Sequence, residues 1–80
     1  MSKVNHITTA CSYGSIKIKL KDILDERNLT RYQLSKITGT RFEVVNKWYN
    51  GNIERIDSDI LARFCYALNC KVEDIIEHNL

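Results

Sequence analysis

Phe42, Glu43, Asn46 and Lys47 fall on one side of a helix drawn through their segment, while Val44, Val45 and Trp48 fall on the other. The first set can make contacts and hydrogen bonds but not bond-breaking chemistry: an ammonium donor, a carboxylate acceptor, an amide that does both, and one aromatic ring. Such a face suits a surface that reads a partner. Elsewhere the chain offers no catalytic pattern. There are no paired carboxylates, no Cys/His arrangement and no phosphate-cradling glycine loop; the three glycines sit at turn-like positions and both histidines lie in the terminal segments. A bundle this small leaves little room for a substrate pocket. We therefore expect no enzyme activity, no small-molecule substrate and no cofactor. Cys11, Cys65 and Cys70 are odd in number and lack a CxxC pair, which argues against a disulfide framework and against a zinc site. Cys65 and Cys70 are expected to be buried free thiols acting as small hydrophobes.

The elements that must position the reading face lie in residues 30–51. Thr30 precedes Gln33 by three residues, a capping-box spacing in which each side chain satisfies an amide at a helix start. Leu34 and Ile37 supply its apolar stripe, and Gly39 can take the positive φ that ends a helix with a sharp change of direction. Thr40 and Glu43 repeat the capping-box spacing and open a second helix, which Asn50 and Gly51 close with a turn signal. Two short helices joined by a three- or four-residue turn predict a helix-turn-helix, a unit that places its second helix in a DNA groove.

Around this unit the rest of the chain reads as short helices. Residues 1–15 are rich in Ser, Thr and Asn without sustained periodicity and are expected to form a flexible arm, leaving 16–80 as the folded domain. Ile16, Ile18 and Leu20 alternate with lysines as in a strand, yet Ile16, Leu20, Ile23 and Leu24 also fit a helix. We expect an extended lead-in over about 16–18 and a first helix over about 20–27, burying Leu20, Ile23 and Leu24, with Asn28 as its stop. After Gly51 a loop anchored by Ile53 and Ile56 leads to a fourth helix, capped by Asp57 or Ser58, that buries Ile60, Leu61, Phe64, Cys65 and Leu68 and stops at Asn69. A last short helix over about 72–77 presents Val72, Ile75 and Ile76.

Eighty residues suffice for one small domain, and no run of about 18 apolar residues exists to span a membrane. Without the apolar run of a signal peptide, cytoplasmic residence is expected. Net charge is +2, but its distribution is uneven. Residues 1–47 hold nine Lys/Arg against four Asp/Glu, and residues 48–80 hold three against six, so the positive field lies on the half with the reading unit.

The segments LTRYQLSKITG at 29–39, KWYNGNIERID at 47–57 and LARFCYALNC at 61–70 resemble the Cro/C1-type (Xre) helix-turn-helix regulators of bacteria and their phages, from about residue 18 to the end. The resemblance implies an all-α, compact bundle of about five short helices, and a homodimer that binds double-stranded DNA at an inverted-repeat operator and represses transcription. By position it implies that Phe42, Glu43, Asn46 and Lys47, on a third helix over about 41–49, meet base edges in the major groove. Lys47 would donate to guanine, Phe42 would touch a thymine methyl and Glu43 would accept from cytosine. Arg31, Arg41, Asn50, Asn52 and Arg55 would hold backbone phosphates. Arg41 stands where the family commonly has Ser or Thr, so the third helix is either capped by Thr40 or begins uncapped. Glu43 places a negative charge on a face that meets a polyanion. For the dimer surface the apolar Val72, Ile75, Ile76 and Leu80 come first, and strand pairing through 16–20 second. A different reading turns the same fold to a protein partner, as a phage-encoded inhibitor or an antitoxin would, with exposed Phe42, Tyr32 and Tyr49 beside Glu43 as anchors.

Overall fold

Leu20, Leu24, Leu34, Val45, Trp48, Phe64, Leu68 and Ile75 converge into one core, each element of the bundle giving one or two of them. The structure, a computed structural model, describes residues 4–9 and 11–80. In chain order it runs β1 (Ser15–Ile18), α1 (Leu20–Glu26), α2 (Arg31–Thr38), α3 (Phe42–Asn50), α4 (Ser58–Leu68), α5 (Val72–Ile75) and β2 (Ile76–Asn79). No described helix is long and apolar enough to cross a membrane.

Local chemistry sets most boundaries. The Thr30 hydroxyl accepts from the Gln33 amide at 3.0 Å and the Gln33 side chain accepts from the Thr30 amide at 2.8 Å, completing the expected capping box of α2. Asp57 Oδ1 accepts from the amides of Asp59 and Ile60 and starts α4. Asn28 and Asn69 both take left-handed backbone, with φ of 54° and 49°, where α1 and α4 give way to turns. The extended lead-in and first helix fall where expected.

Four local expectations are corrected. Ile37 is 61% exposed, lying outside the core in a shallow surface groove with Arg63, Tyr66 and Ala67 of α4. Ile56 is 40% exposed, and Ile53 alone packs against the core from that loop. Of the α4 set, Phe64 and Leu68 are fully enclosed, while Ile60, Leu61 and Cys65 lie half-buried at the core's margin. The last helix ends at Ile75, and Ile76 and Glu77 belong to β2. This strand pairs antiparallel with β1 in the register Ser15 with Asn79 through Ile18 with Ile76. The Lys19 amide donates to the Ile75 carbonyl at 2.6 Å, and the Lys19 ammonium meets Glu77 at 3.0 Å, so the chain's two ends clamp α1 to α5.

The flexible arm expected over 1–15 falls partly on residues 1–3 and 10, outside the described residues. Its far end is tied to the domain. His78 Nε2 lies 2.8 Å from the Tyr13 carbonyl, which can only accept, so that nitrogen carries the proton. Gly14 has φ of 77°, and a Cβ there would overlap the Asn79 carbonyl, so only glycine allows β2 to approach so closely. Gly14→Ala should therefore open the sheet alone. Hydrogen exchange should speed up at amides of β1 and β2 while Leu24, Val45 and Phe64 stay protected; unchanged strand protection would contradict this close approach.

Candidate nucleic-acid interface

Gly39, with φ of 66°, turns the chain between α2 and α3. The amides of Gly39 and Thr40 both reach the Ser35 carbonyl, as in a Schellman-type ending. Arg63 of α4 adds a second restraint: its Nη1 donates to the carbonyls of Thr38 at 3.2 Å and Gly39 at 3.4 Å while its Nε pairs with Asp59 at 3.0 Å. A guanidinium at the C-terminal end of α2 also opposes that helix's negative pole. The turn is thus held from both sides.

The expected Thr40–Glu43 capping box does not form. Thr40 is buried, its hydroxyl 2.9 Å from that of Thr38, and α3 begins at Phe42 after Arg41 with no side-chain cap. Its first amides therefore remain available as donors at the helix's positive end. Glu43, freed from capping, is exposed.

Burial of Val45 and Trp48 fixes the rotation of α3. The Trp48 ring meets Phe64 edge-to-face, centroids 5.3 Å apart and planes at 89°. Opposite them Glu43, Lys47 and Asn50 are exposed and Asn46 is half-buried. Phe42, Asn46 and Tyr49, at i, i+4 and i+7, form a flanking stripe that meets the start of α2. There the half-buried Arg31 donates from Nη1 to Asn46 Oδ1 at 2.6 Å, and its guanidinium lies 4.6 Å from the Tyr49 ring centroid and 6.0 Å from that of Phe42. The structure so brings together Arg31, Phe42 and Asn46 among the sequence-predicted residues. Arg41 flanks the turn, and Asn52 and Arg55 lie exposed in the loop after α3.

Val72 and Leu80, from the expected dimer set, are exposed, and Ile76 is half-buried in β2. Ile75 is fully enclosed by the chain's own core, which removes it from any surface in this conformation.

Asp25 and Lys21 escaped the sequence reading of the site, and Tyr49 entered it only as an anchor for a protein partner. Tyr49, expected as an exposed anchor, is half-buried; its hydroxyl donates to Asp25 Oδ1 at 3.0 Å, and Asp25 Oδ2 receives the Lys21 ammonium at 2.7 Å. The i, i+4 spacing of Lys21 and Asp25 was a signal for part of this. The other aromatics of the protein-partner reading also lie near cations, Phe42 near Arg31 and Tyr32 near Lys36 at 5.2 Å.

The profile of the Cro/C1-type HTH DNA-binding domain matches residues 19–80. This chain belongs to that family. A crystal structure of a candidate DNA-binding protein from Bacteroides fragilis has the same fold, with a TM-score of 0.69 at 19% identity over 79% of this chain and 100% of that one. Comparison with curated proteins gives no match. In the terms of the family, α2 and α3 are the helix-turn-helix, and the β1–β2 sheet is a small addition to an otherwise helical domain.

The Asp25 carboxyl is held below the ordinary aspartate range, first by the hydrogen bond from Lys21 and then by that from Tyr49. The Lys21 ammonium is correspondingly held above the usual lysine value by Asp25. A depressed carboxylate contributes stability above its unfolded pKa and loses it as pH falls through the folded value; at this exposed site solvent keeps that contribution small. In a carboxyl-carbon NMR titration Tyr49→Phe should raise the Asp25 midpoint, and Lys21→Met should raise it further. Midpoints unmoved by both substitutions would contradict the hydrogen-bonded cluster.

Proposed function

We propose that this family member is a sequence-specific transcriptional repressor acting in the cytoplasm, which binds an inverted-repeat operator in double-stranded DNA as a homodimer. The observation that carries the proposal is the division of α3. Val45 and Trp48 lock one side into the core, so Glu43, Asn46, Lys47 and Asn50 are presented on a rigid element beside Arg31.

In this reading Lys47 donates to guanine O6 or N7, Glu43 accepts from cytosine N4, Phe42 touches a thymine methyl and Asn46 serves the adjoining base edge. Arg31, Arg41, Asn50, Asn52 and Arg55 hold phosphates around that helix and set its docking. The uncapped start of α3 leaves amides for a further phosphate oxygen. For the second copy, the sheet offers exposed Ile16 and Leu80 beside an open strand edge, with Val72 close in sequence on α5. A two-stranded sheet is marginal alone, and an open edge templates another strand. Two recognition helices then lie on successive turns of one face of the duplex.

Selection of bound duplexes from a random pool at moderate salt should enrich an inverted repeat with half-sites about one helical turn apart. Lys47→Ala should relax preference at one base pair per half-site by about 1–3 kcal/mol and leave the other positions intact. Enrichment of no repeat, with Lys47→Ala indistinguishable from wild type on every sequence, would refute base reading by this face.

A further inference from the structure

Arg31 does not project freely from α2. One N–H is engaged by Asn46 Oδ1 at 2.6 Å, and the Cζ carbon sits over the ring of Tyr49, 4.6 Å from its centroid; the Tyr49 hydroxyl in turn donates to Asp25 at 3.0 Å. Asp25 is itself held by Lys21 at 2.7 Å. The result is a chain of contacts from α1 through α3 to the first residue of α2. A guanidinium carries five N–H donors, so one bond to Asn46 leaves the others for an anion.

From this geometry we infer that Tyr49, braced by Asp25, is a positioning residue for DNA binding: it holds the Arg31 guanidinium in place for a backbone phosphate without touching the nucleic acid itself. The inference rests on the reading of Arg31 as a phosphate ligand and adds the device that orients it. A long arginine side chain loses rotamer freedom when it engages a phosphate, and that loss weakens binding. Stacking on Tyr49 and bonding to Asn46 remove much of the freedom before DNA arrives. The Tyr49 ring in turn needs a fixed tilt, which the bond to Asp25 supplies. Asp25 adds a negative charge on this side of the domain, and Lys21 offsets it, so the brace adds little repulsion toward a polyanion.

The test uses the full chain and a mixed-sequence duplex, so that no knowledge of the operator enters. Tyr49→Phe keeps the ring and the charge and removes only the bond to Asp25. It should weaken binding about two- to tenfold, the range for freeing one flexible side chain. The dependence of affinity on salt should keep its slope, because the number of phosphates neutralised is unchanged. Arg31→Ala should lower the slope by about one. In the Arg31→Ala background Tyr49→Phe should then have no further effect, since there is no guanidinium left to orient. Tyr49→Leu, which also removes the stacking face, should cost more than Tyr49→Phe in the wild-type background and nothing in the other. Equal losses in both backgrounds would show a merely structural role and overturn the inference, as would full affinity for both Tyr49 variants. An unchanged salt slope in Arg31→Ala would overturn the underlying phosphate contact. Absence of duplex binding by the wild type would overturn the DNA reading with it.

Discussion

Trp48 packed edge-on against Phe64 is the contact on which the rest of the arrangement depends. An α3 of nine residues has little intrinsic stability, so tertiary burial must hold it. With Trp48 and Val45 enclosed, helical periodicity leaves no choice about what faces outward. Glu43, Lys47 and Asn50 point away from the core, and the stripe of Phe42, Asn46 and Tyr49 turns toward α2. An aromatic pair of this geometry contributes about 0.5–1.5 kcal/mol beyond its buried area, and it couples α3 directly to α4. What α3 presents outward is therefore a consequence of core packing on its opposite face.

The turn between α2 and α3 is the second constraint. Its left-handed glycine sets the change of direction, and Arg63 spans from α4 to the carbonyls that the ending of α2 leaves exposed. A similar tie joins the far ends of α1 and α4, where the Arg27 guanidinium donates to the Leu68 carbonyl. Both guanidiniums hold carbonyls at helix ends. Of the basic residues on the first half of the chain, Arg31 and Arg41 flank α3 and Lys47 lies on it, whereas Lys19 and Lys21 are paired with carboxylates. Charge counted along the sequence thus overstates what is free to meet a polyanion.

Elements set by local rules were legible from the residues: the Thr30–Gln33 box, the Gly39 turn, the Asp57 cap and the order of five helices. What escaped depends on how the folded chain packs. The segment Ile76–Asn79 has no alternating pattern of its own and becomes a strand because β1 lies beside it. Thr40 and Glu43 have the right spacing for a cap, yet burial of Thr40 against Thr38 takes its hydroxyl elsewhere. Ile37 matches the helical stripe but stays largely exposed in the groove beside α4. The same applies to the site. Phe42, Asn46 and Lys47 could be placed by periodicity, while the stacking of Arg31 on Tyr49 and the brace from Asp25 join three helices and leave only the Lys21–Asp25 spacing as a trace.

Amide chemical-shift mapping of the full chain against a mixed-sequence duplex tests the central claim most directly, because it asks which face meets DNA without assuming a sequence. The account predicts the largest shifts at the start of α2, along Phe42, Glu43, Asn46 and Lys47, and in the loop from Asn50 to Arg55, with little change at Ile37 and Tyr66. Shifts concentrated on Ile37 and Tyr66, with the outward face of α3 silent, would contradict it.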